Sequence, residues 1–235
     1  MSWLVRYSLL AALLPVGLIF TGHHLRADEA PRLLPASQME APRASGMQTI
    51  VLSGGCFWGV QGVFEHVAGV QSAVSGYAGG ARDTAQYETV STGRTGHAES
   101  VKVTFDPSKV SLGQVLRIFF SVALDPTRTD GQGPDEGSQY RSEVWTVNAD
   151  QARVAQAYIA QLNQAHAFGA PIATRVDPLT GFYPAENYHQ DYLALNPDAP
   201  YILVNDMPKV EALQRLFPAD WRPEPNKVLG QHPPA

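Results

Sequence analysis

The chain predicts an α+β fold, a two-layer αβ sandwich of the split-βαβ, ferredoxin-like kind, with helices on one face of a mainly antiparallel sheet. Three observations predict it. Short runs of alternating apolar residues end in glycine or aspartate, as half-buried strands do. Longer segments between them repeat their apolar residues at helical spacing. The resulting order is β-α-β-β-α-β, followed by further helical pieces.

Each element has its own warrant. Residues 47–54 (MQTIVLSG) are a short β-rich run closing in glycines. Residues 56–69 place Phe57, Val60, Phe64 and Val67 on one helical face, and Gly69 ends it. Residues 70–80 form a strand that breaks into a glycine turn. In residues 98–106, Val101, Val103 and Phe105 alternate as in a half-buried strand. Residues 111–123 are helical with Ser111 as N-cap. Residues 142–148 are a strand, and residues 150–165 a helix that starts at an aspartate. Residues 171–177 are strand-like, residues 185–196 a shorter helix, and residues 209–217 a closing helix. Two long stretches, 75–97 and 124–141, stay irregular, and loops of that length inside a compact domain are usually functional.

Hydrophobic residues make up 44% of the 235, enough for a sizeable core. A formal charge of −5 argues against a nucleic-acid partner, which needs a basic stripe. The ends differ from the middle. Arg6 precedes an apolar stretch at 8–20 that suits a secretory signal better than a membrane-spanning helix, so residues 1–27 read as an export signal, with an uncleaved anchor as the alternative. Export places the folded part outside the cytoplasm, in a periplasmic or similar compartment. A membrane is involved only if that leader is retained. Residues 28–46 are rich in Pro, Ala and Ser and read as a linker. The catalytic domain is expected at 47–217 and an irregular Pro-rich tail at 218–235. The chain is expected to act as a monomer.

Cys56, in GGCFWG, is the only cysteine. An internal disulfide is therefore impossible, and CxxC chemistry and a cysteine zinc site are absent. No metal site is expected. The thiol stands at a strand-to-helix turn, where free N–H groups and the helix dipole are expected to lower its pKa. Gly54 and Gly55 permit a tight turn and close approach of a substrate. A free cysteine can equally be a small buried hydrophobe. Phe57 and Trp58 point about 100° apart on a helix, so one is expected in the core and the other beside Cys56. Glu99, opening a strand, and Tyr87, Asp135, Tyr140 and Arg141, in or beside the irregular stretches, supply groups suited to hydrogen bonding and proton donation. Two rival chemistries remain at this level. A cysteine hydrolase needs a histidine base, for which His97 and His189 are the candidates. A non-catalytic binding module would keep the aromatic pocket around an inert thiol.

The blocks GGCFWGVQGVFEHVAGV, SGYAGG, YETVSTGRTGHAESVKVTFDP, GPDEGSQYRS and FYPAENYHQDYL resemble, in order and spacing, the type A peptide-methionine sulfoxide reductases. The resemblance spans residues 50–217. It implies an α/β two-layer sandwich and reduction of the S epimer of methionine sulfoxide, since each epimer has its own enzyme. It also implies roles: Cys56 as the nucleophile, Glu99 as the acid that protonates the sulfoxide oxygen, and Phe57 with Trp58 as the pocket for the methyl group. Tyr87, Asp135 and Tyr140 match groups that bind the oxygen directly or through water. The implied substrates are oxidised methionine-containing proteins, with no bound cofactor.

The chain departs from the family in its tail. Many members carry resolving cysteines there, whereas RPEPNKVLGQHPPA has none. Cys56 oxidised to a sulfenic acid would then need an external thiol as reductant, namely a thioredoxin-like protein, glutathione or, in vitro, dithiothreitol. Members also commonly have His where this chain has Leu124.

Overall fold

A computed structural model describes residues 30–42 and 46–229, so the expected export signal or anchor at 1–27 lies outside the described residues. The elements are β1 (Gln48–Gly54), α1 (Phe57–Glu65), β2 (Val70–Ala78), α2 (Tyr87–Val90), β3 (Ala98–Phe105), α3 (Leu112–Ile118), β4 (Gly131–Gln132), β5 (Asp135–Glu136), β6 (Ser142–Thr146), α4 (Ala149–Gln164), β7 (Arg175–Pro178), β8 (Phe182–Pro184), α5 (Tyr192–Leu195) and α6 (Met207–Leu216). One six-stranded sheet runs β7-β6-β1-β3-β2-β8, and β4 and β5 make a separate small ribbon. The central four, β6-β1-β3-β2, are antiparallel neighbours throughout. β3 therefore lies between β1 and β2, the split-βαβ arrangement expected from the element order. β7 extends the sheet parallel to β6, and β8 antiparallel to β2.

The alternation in β3 decides its faces. Glu99, Val101, Val103 and Phe105 are all buried, while Lys102 and Thr104 are only partly so. Glu99 is thus the polar end of an otherwise apolar row. β1 is buried on both faces. Ile50 and Leu52 join the main core with Val60, Val63 and Phe64 of α1. Val51 packs on the other side with Ala78, Ala98 and Trp145. Full burial of a side chain such as Phe64 stabilises by roughly 1.5–3 kcal/mol relative to leaving it in water.

Several expected boundaries move, each for a local reason. α1 stops at Glu65 because the backbone beyond it pairs with the tail: Val67 bridges Trp221, and the Ala68 N–H donates to the Asp220 carbonyl at 2.7 Å. Ser111 does cap α3, accepting from the Gln114 N–H at 3.2 Å, but the helix widens into a π-helical turn at Phe119–Ala123. α4 begins one residue earlier than expected, at Ala149, and is capped by Asn148. The expected helix at 185–196 is broken: a 3-10 turn, Asn187–His189, precedes α5, and Asp191 between them is left-handed at φ 54°. The stretch expected to be irregular at 124–141 contains the β4–β5 ribbon and a 3-10 turn at Ser138–Tyr140.

The segment read as a linker is docked along residues 30–42. Leu34 is 2% exposed and joins the main core. The Arg32 N–H donates to the Ser121 carbonyl at 3.0 Å, Tyr158 Oη to the Pro35 carbonyl at 2.8 Å, and Gln161 Nε2 to the Ala36 carbonyl at 2.8 Å. Glu40 then accepts from the Gly113 N–H at 3.0 Å, a carboxylate at a helix N-terminus. Composition hid this because proline and serine favour linkers, and a single leucine anchors the strap. The tail is docked as well. The Arg222 N–H donates to the His66 carbonyl at 2.7 Å, the Asn226 N–H to the Glu65 carbonyl at 2.9 Å, and the Leu229 N–H to Asp191 at 2.7 Å. Leu34→Ala is expected to lower unfolding free energy by about 2–5 kcal/mol. Denaturant titration measures it, and a free linker would give a change near zero.

Candidate active site

Cys56 is the N-cap of α1, two residues after the end of the buried strand β1, and is 8% exposed. The turn before it needs glycine. Gly55 is at φ +86°, and a Cβ there would lie 2.6 Å from the Gln132 side chain. The first N–H group of the helix has a side-chain partner. The Phe57 N–H donates to Glu99 Oε2 at 3.0 Å. Cys56 makes no side-chain capping hydrogen bond, although the nearby Trp58 N–H favours its thiolate. Glu99 reaches the helix end because β3 pairs with β1 and puts its residue 99 on the α1 side of the sheet.

Burial overrides the helix dipole at both groups. Desolvation pushes the Glu99 carboxyl up to about 8, against the Phe57 hydrogen bond, with Asp135 and Asp206 raising it further. The thiol was expected to fall below its usual value. Instead burial, then the neighbouring Glu99 and Asp206 carboxyls, raise it well above, and the Trp58 N–H and the Lys209 ammonium only partly compensate. At neutral pH both groups hold their protons.

The two aromatics after Cys56 divide as the helix geometry requires. Phe57 is 1% exposed, inside the core against Tyr77 and His189. Trp58 is half-buried, stacked on Tyr192 at 3.8 Å with Tyr201 at its edge. Its indole N–H donates to His189 Nδ1 at 3.2 Å, which leaves the imidazole proton on Nε2. The open aromatic wall beside Cys56 is therefore Trp58 alone of the pair.

Tyr87, Tyr140 and Asp135 gather around the same point. Burial raises both phenols, and Glu99 is the next cause for each. Tyr87 opens α2, and its N–H donates to Glu186 Oε1 at 3.0 Å, while Tyr77 Oη donates to the other oxygen at 2.9 Å. Asp135 accepts a hydrogen bond from Tyr201. Tyr140 is held by its neighbour. Arg141 donates to the Ser138 carbonyl at 2.9 Å, to the His97 carbonyl at 3.2 Å and to the Gly96 carbonyl at 3.1 Å, and pairs with Glu143 at 2.6 Å. One guanidinium thus ties the turn carrying Tyr140 to the loop that leads into Glu99.

The structure removes the hydrolase reading. His97 spends both ring nitrogens on backbone, accepting from the Gly80 N–H at 3.2 Å and donating to the Ala81 carbonyl at 2.9 Å. His189 is occupied by Trp58, and burial lowers its pKa. Neither is placed as a base for Cys56. Sequence reading missed Tyr201, Asp206 and Lys209, which come from the segment before and into α6, about 150 residues from Cys56. It also left Glu186 without a place in the site and weighed His189 only as a hydrolase base, although both stood in the FYPAENYHQDYL block.

A family model described as peptide methionine sulfoxide reductase matches residues 48–220. The chain belongs to that family. A peptide methionine sulfoxide reductase from Mesorhizobium japonicum is 58% identical over 191 residues, covering 81% of this chain and 98% of the relative. One from a Synechocystis species is 48% identical over 174 residues, covering 74% of this chain and 81% of the relative. Among solved structures, reduced Mxr1 from Saccharomyces cerevisiae superposes with a TM-score of 0.59 at 29% identity, covering 72% of this chain and 94% of that one. Methionine sulfoxide reductase A of Corynebacterium diphtheriae gives 0.57 at 30% identity, covering 73% and 95%. The chain is a type A methionine sulfoxide reductase, and the α+β fold is the one its relatives share.

Removing Arg141 tests the clamp. Arg141→Ala leaves Glu143 and three carbonyls without their partner in a buried setting, and is expected to destabilise by about 3–5 kcal/mol in denaturant unfolding. Arg141→Lys, which cannot reproduce the fork, should recover only part of it.

Proposed function

We propose that the chain reduces the S epimer of methionine sulfoxide in oxidised proteins by moving the sulfoxide oxygen onto Cys56. The observation that carries this reading is the meeting of Cys56 with a protonated Glu99 at one buried helix end. The substrate's methyl group lies against Trp58, and its oxygen points toward Glu99, Tyr87 and Tyr140, with Asp135 and Tyr201 closing the polar side. Glu99 Oε2 accepts from Phe57, so Oε1 carries the proton that the oxygen takes. Cys56 sulfur attacks the substrate sulfur as that proton moves, and the thiol proton returns to Glu99. The S–S bond so formed and the substrate's S–O bond then break as the hydroxyl passes to the Cys56 sulfur, giving Cys–SOH and methionine. The substrate sulfur gains two electrons and the Cys56 sulfur loses two. A positioned acid of this kind is typically worth about 10²–10⁴-fold.

Regeneration follows from the count of one cysteine. A first external thiol condenses with Cys–SOH, releasing water and forming a mixed disulfide. A second thiol displaces Cys56 and leaves as the disulfide of the reductant. Thioredoxin-like proteins, glutathione and dithiothreitol have the required chemistry. The apolar stretch at 8–20 behind Arg6 supports export, and hence repair of exported proteins.

Purified protein mixed with methionine-S-sulfoxide and no reductant should release one methionine per chain and form a dimedone adduct at Cys56. No methionine, or no adduct, would sink the reading. Glu99→Gln is expected to slow this single turnover about 10²–10⁴-fold with the fold intact. The pH profile has a worked sign: Glu99 is protonated below about 8, so the wild-type rate should fall as pH rises through that value. A rate that stays flat to pH 9 would assign the proton to another group. Steady turnover should appear on adding dithiothreitol, glutathione or a thioredoxin system; failure with all three contradicts regeneration from outside.

A further inference from the structure

A charged pair stands at the same helix end and has no part in the oxygen transfer described above. The π-helical turn Ile202–Asp206 runs into α6 and turns Asp206 inward, where it is fully buried. Lys209, one turn on, places Nζ 3.0 Å from Asp206 Oδ1, with its side chain 20% exposed. Asp206 Oδ2 has no hydrogen-bond partner among the described residues. The pair rests against Gly59, three residues beyond Cys56 and on the same face of α1. A Cβ at Gly59 would overlap the Asp206 carboxyl and lie 2.9 Å from Lys209 Nζ, so only glycine lets the pair approach the helix this closely. Lys209 also lines a cleft of about 230 Å³ that it shares with Asp135 and Tyr201.

Such a pair is a poor stability device. Burying two charges loses several kcal/mol of hydration per ion, which their attraction often fails to repay. An orphaned carboxylate oxygen makes the balance worse. Its placement makes sense for another reason. The other ionisable groups near Cys56 are Glu99 from β3, Asp135 from β5, and the phenols Tyr87, Tyr140 and Tyr201, none of which is a cation. Among the described residues, Lys209 is the one positive side chain that influences the thiol, and it offsets part of the cost that burial, Glu99 and Asp206 place on its ionisation.

We propose that Lys209 is a positioning residue for the reduction, held in place by Asp206. Asp206 fixes the Lys209 ammonium beside the first turn of α1, where it stabilises the negative charge that develops on the Cys56 sulfur as its bond to hydrogen breaks. This inference rests on Cys56 being the nucleophile. Lys209 does not touch the substrate and acts through the sulfur. The free thiol is strongly disfavoured from ionising by its burial, so a nearby cation lowers that penalty only when charge appears.

The single cysteine makes the test clean, because alkylation reports Cys56 alone. The iodoacetamide rate is measured against pH for the full chain and its variants. Lys209→Gln keeps a donor for Asp206 and removes the charge. It should shift the alkylation profile upward by about one pH unit, or about tenfold slower at a fixed pH below the midpoint. Lys209→Arg should restore the wild-type profile. A profile unmoved by Lys209→Gln, or one that Lys209→Arg fails to restore, overturns the proposal in favour of a structural role. Single-turnover reduction by Cys56→Ser tests the underlying reading separately: retained methionine formation would remove Cys56 as nucleophile, whatever the alkylation profiles show.

Discussion

Burying a thiol and a carboxyl together at the N-terminus of one helix is the constraint on which the rest of the site depends. A helix N-terminus presents free N–H groups and a partial positive charge, and both favour anions. Here the first N–H goes to Glu99, and the Trp58 N–H favours the Cys56 thiolate without a capping hydrogen bond. In an exposed turn that arrangement would ionise both. Inside the protein, desolvation is the larger effect for each, and each ionised partner would further oppose the other. The resting site is consequently neutral and proton-loaded, which is the condition for delivering a proton to a sulfoxide oxygen at neutral pH.

Holding that state requires stiff surroundings, and the fold supplies them without a disulfide. Glu186 grips the start of α2 and Tyr77, His189 holds the Trp58 indole, and Arg141 joins two loops by four hydrogen-bonded contacts. Two flanking segments, 30–42 and 218–229, which carry no regular helix or long strand, are drawn in to finish the packing. The strap at 30–42 lies over α3 and α4, and the tail closes the C-terminal end of α1 through His66, Glu65 and Asp191. Glu65, buried there beside Asp191, is itself pushed up to about 10, chiefly by desolvation. Burial of carboxyls at both ends of one nine-residue helix shows how far the core extends around α1.

Wherever a pattern repeated at a fixed period, it could be read directly. The row Val101, Val103, Phe105 marked β3, and Phe57, Val60 and Phe64 marked α1, because burial on one face imposes those periods. The strand order of the central sheet followed from β-α-β-β-α-β. Elements lost to sequence reading were those stabilised by distant partners. Nothing local tells that residues 66–69 will leave the helix to pair with Trp221, or that Pro35 and Ala36 will receive hydrogen bonds from α4.

The site divides along the same line. The sequence by itself determined the chemistry on offer: one cysteine at a glycine turn and helix start, an aromatic pair that must split between core and surface, and an acid closing an apolar strand face. These depend on near neighbours along the chain, whose geometry is set by backbone period. Only the tertiary structure decided the protonation of that chemistry. Whether Cys56 is thiol or thiolate depends on how much water is excluded and on which charges arrive from residues 99, 206 and 209, and both are consequences of packing between segments far apart in the chain. The helix dipole, legible locally, is the smaller effect, so a prediction based on it alone had the wrong sign.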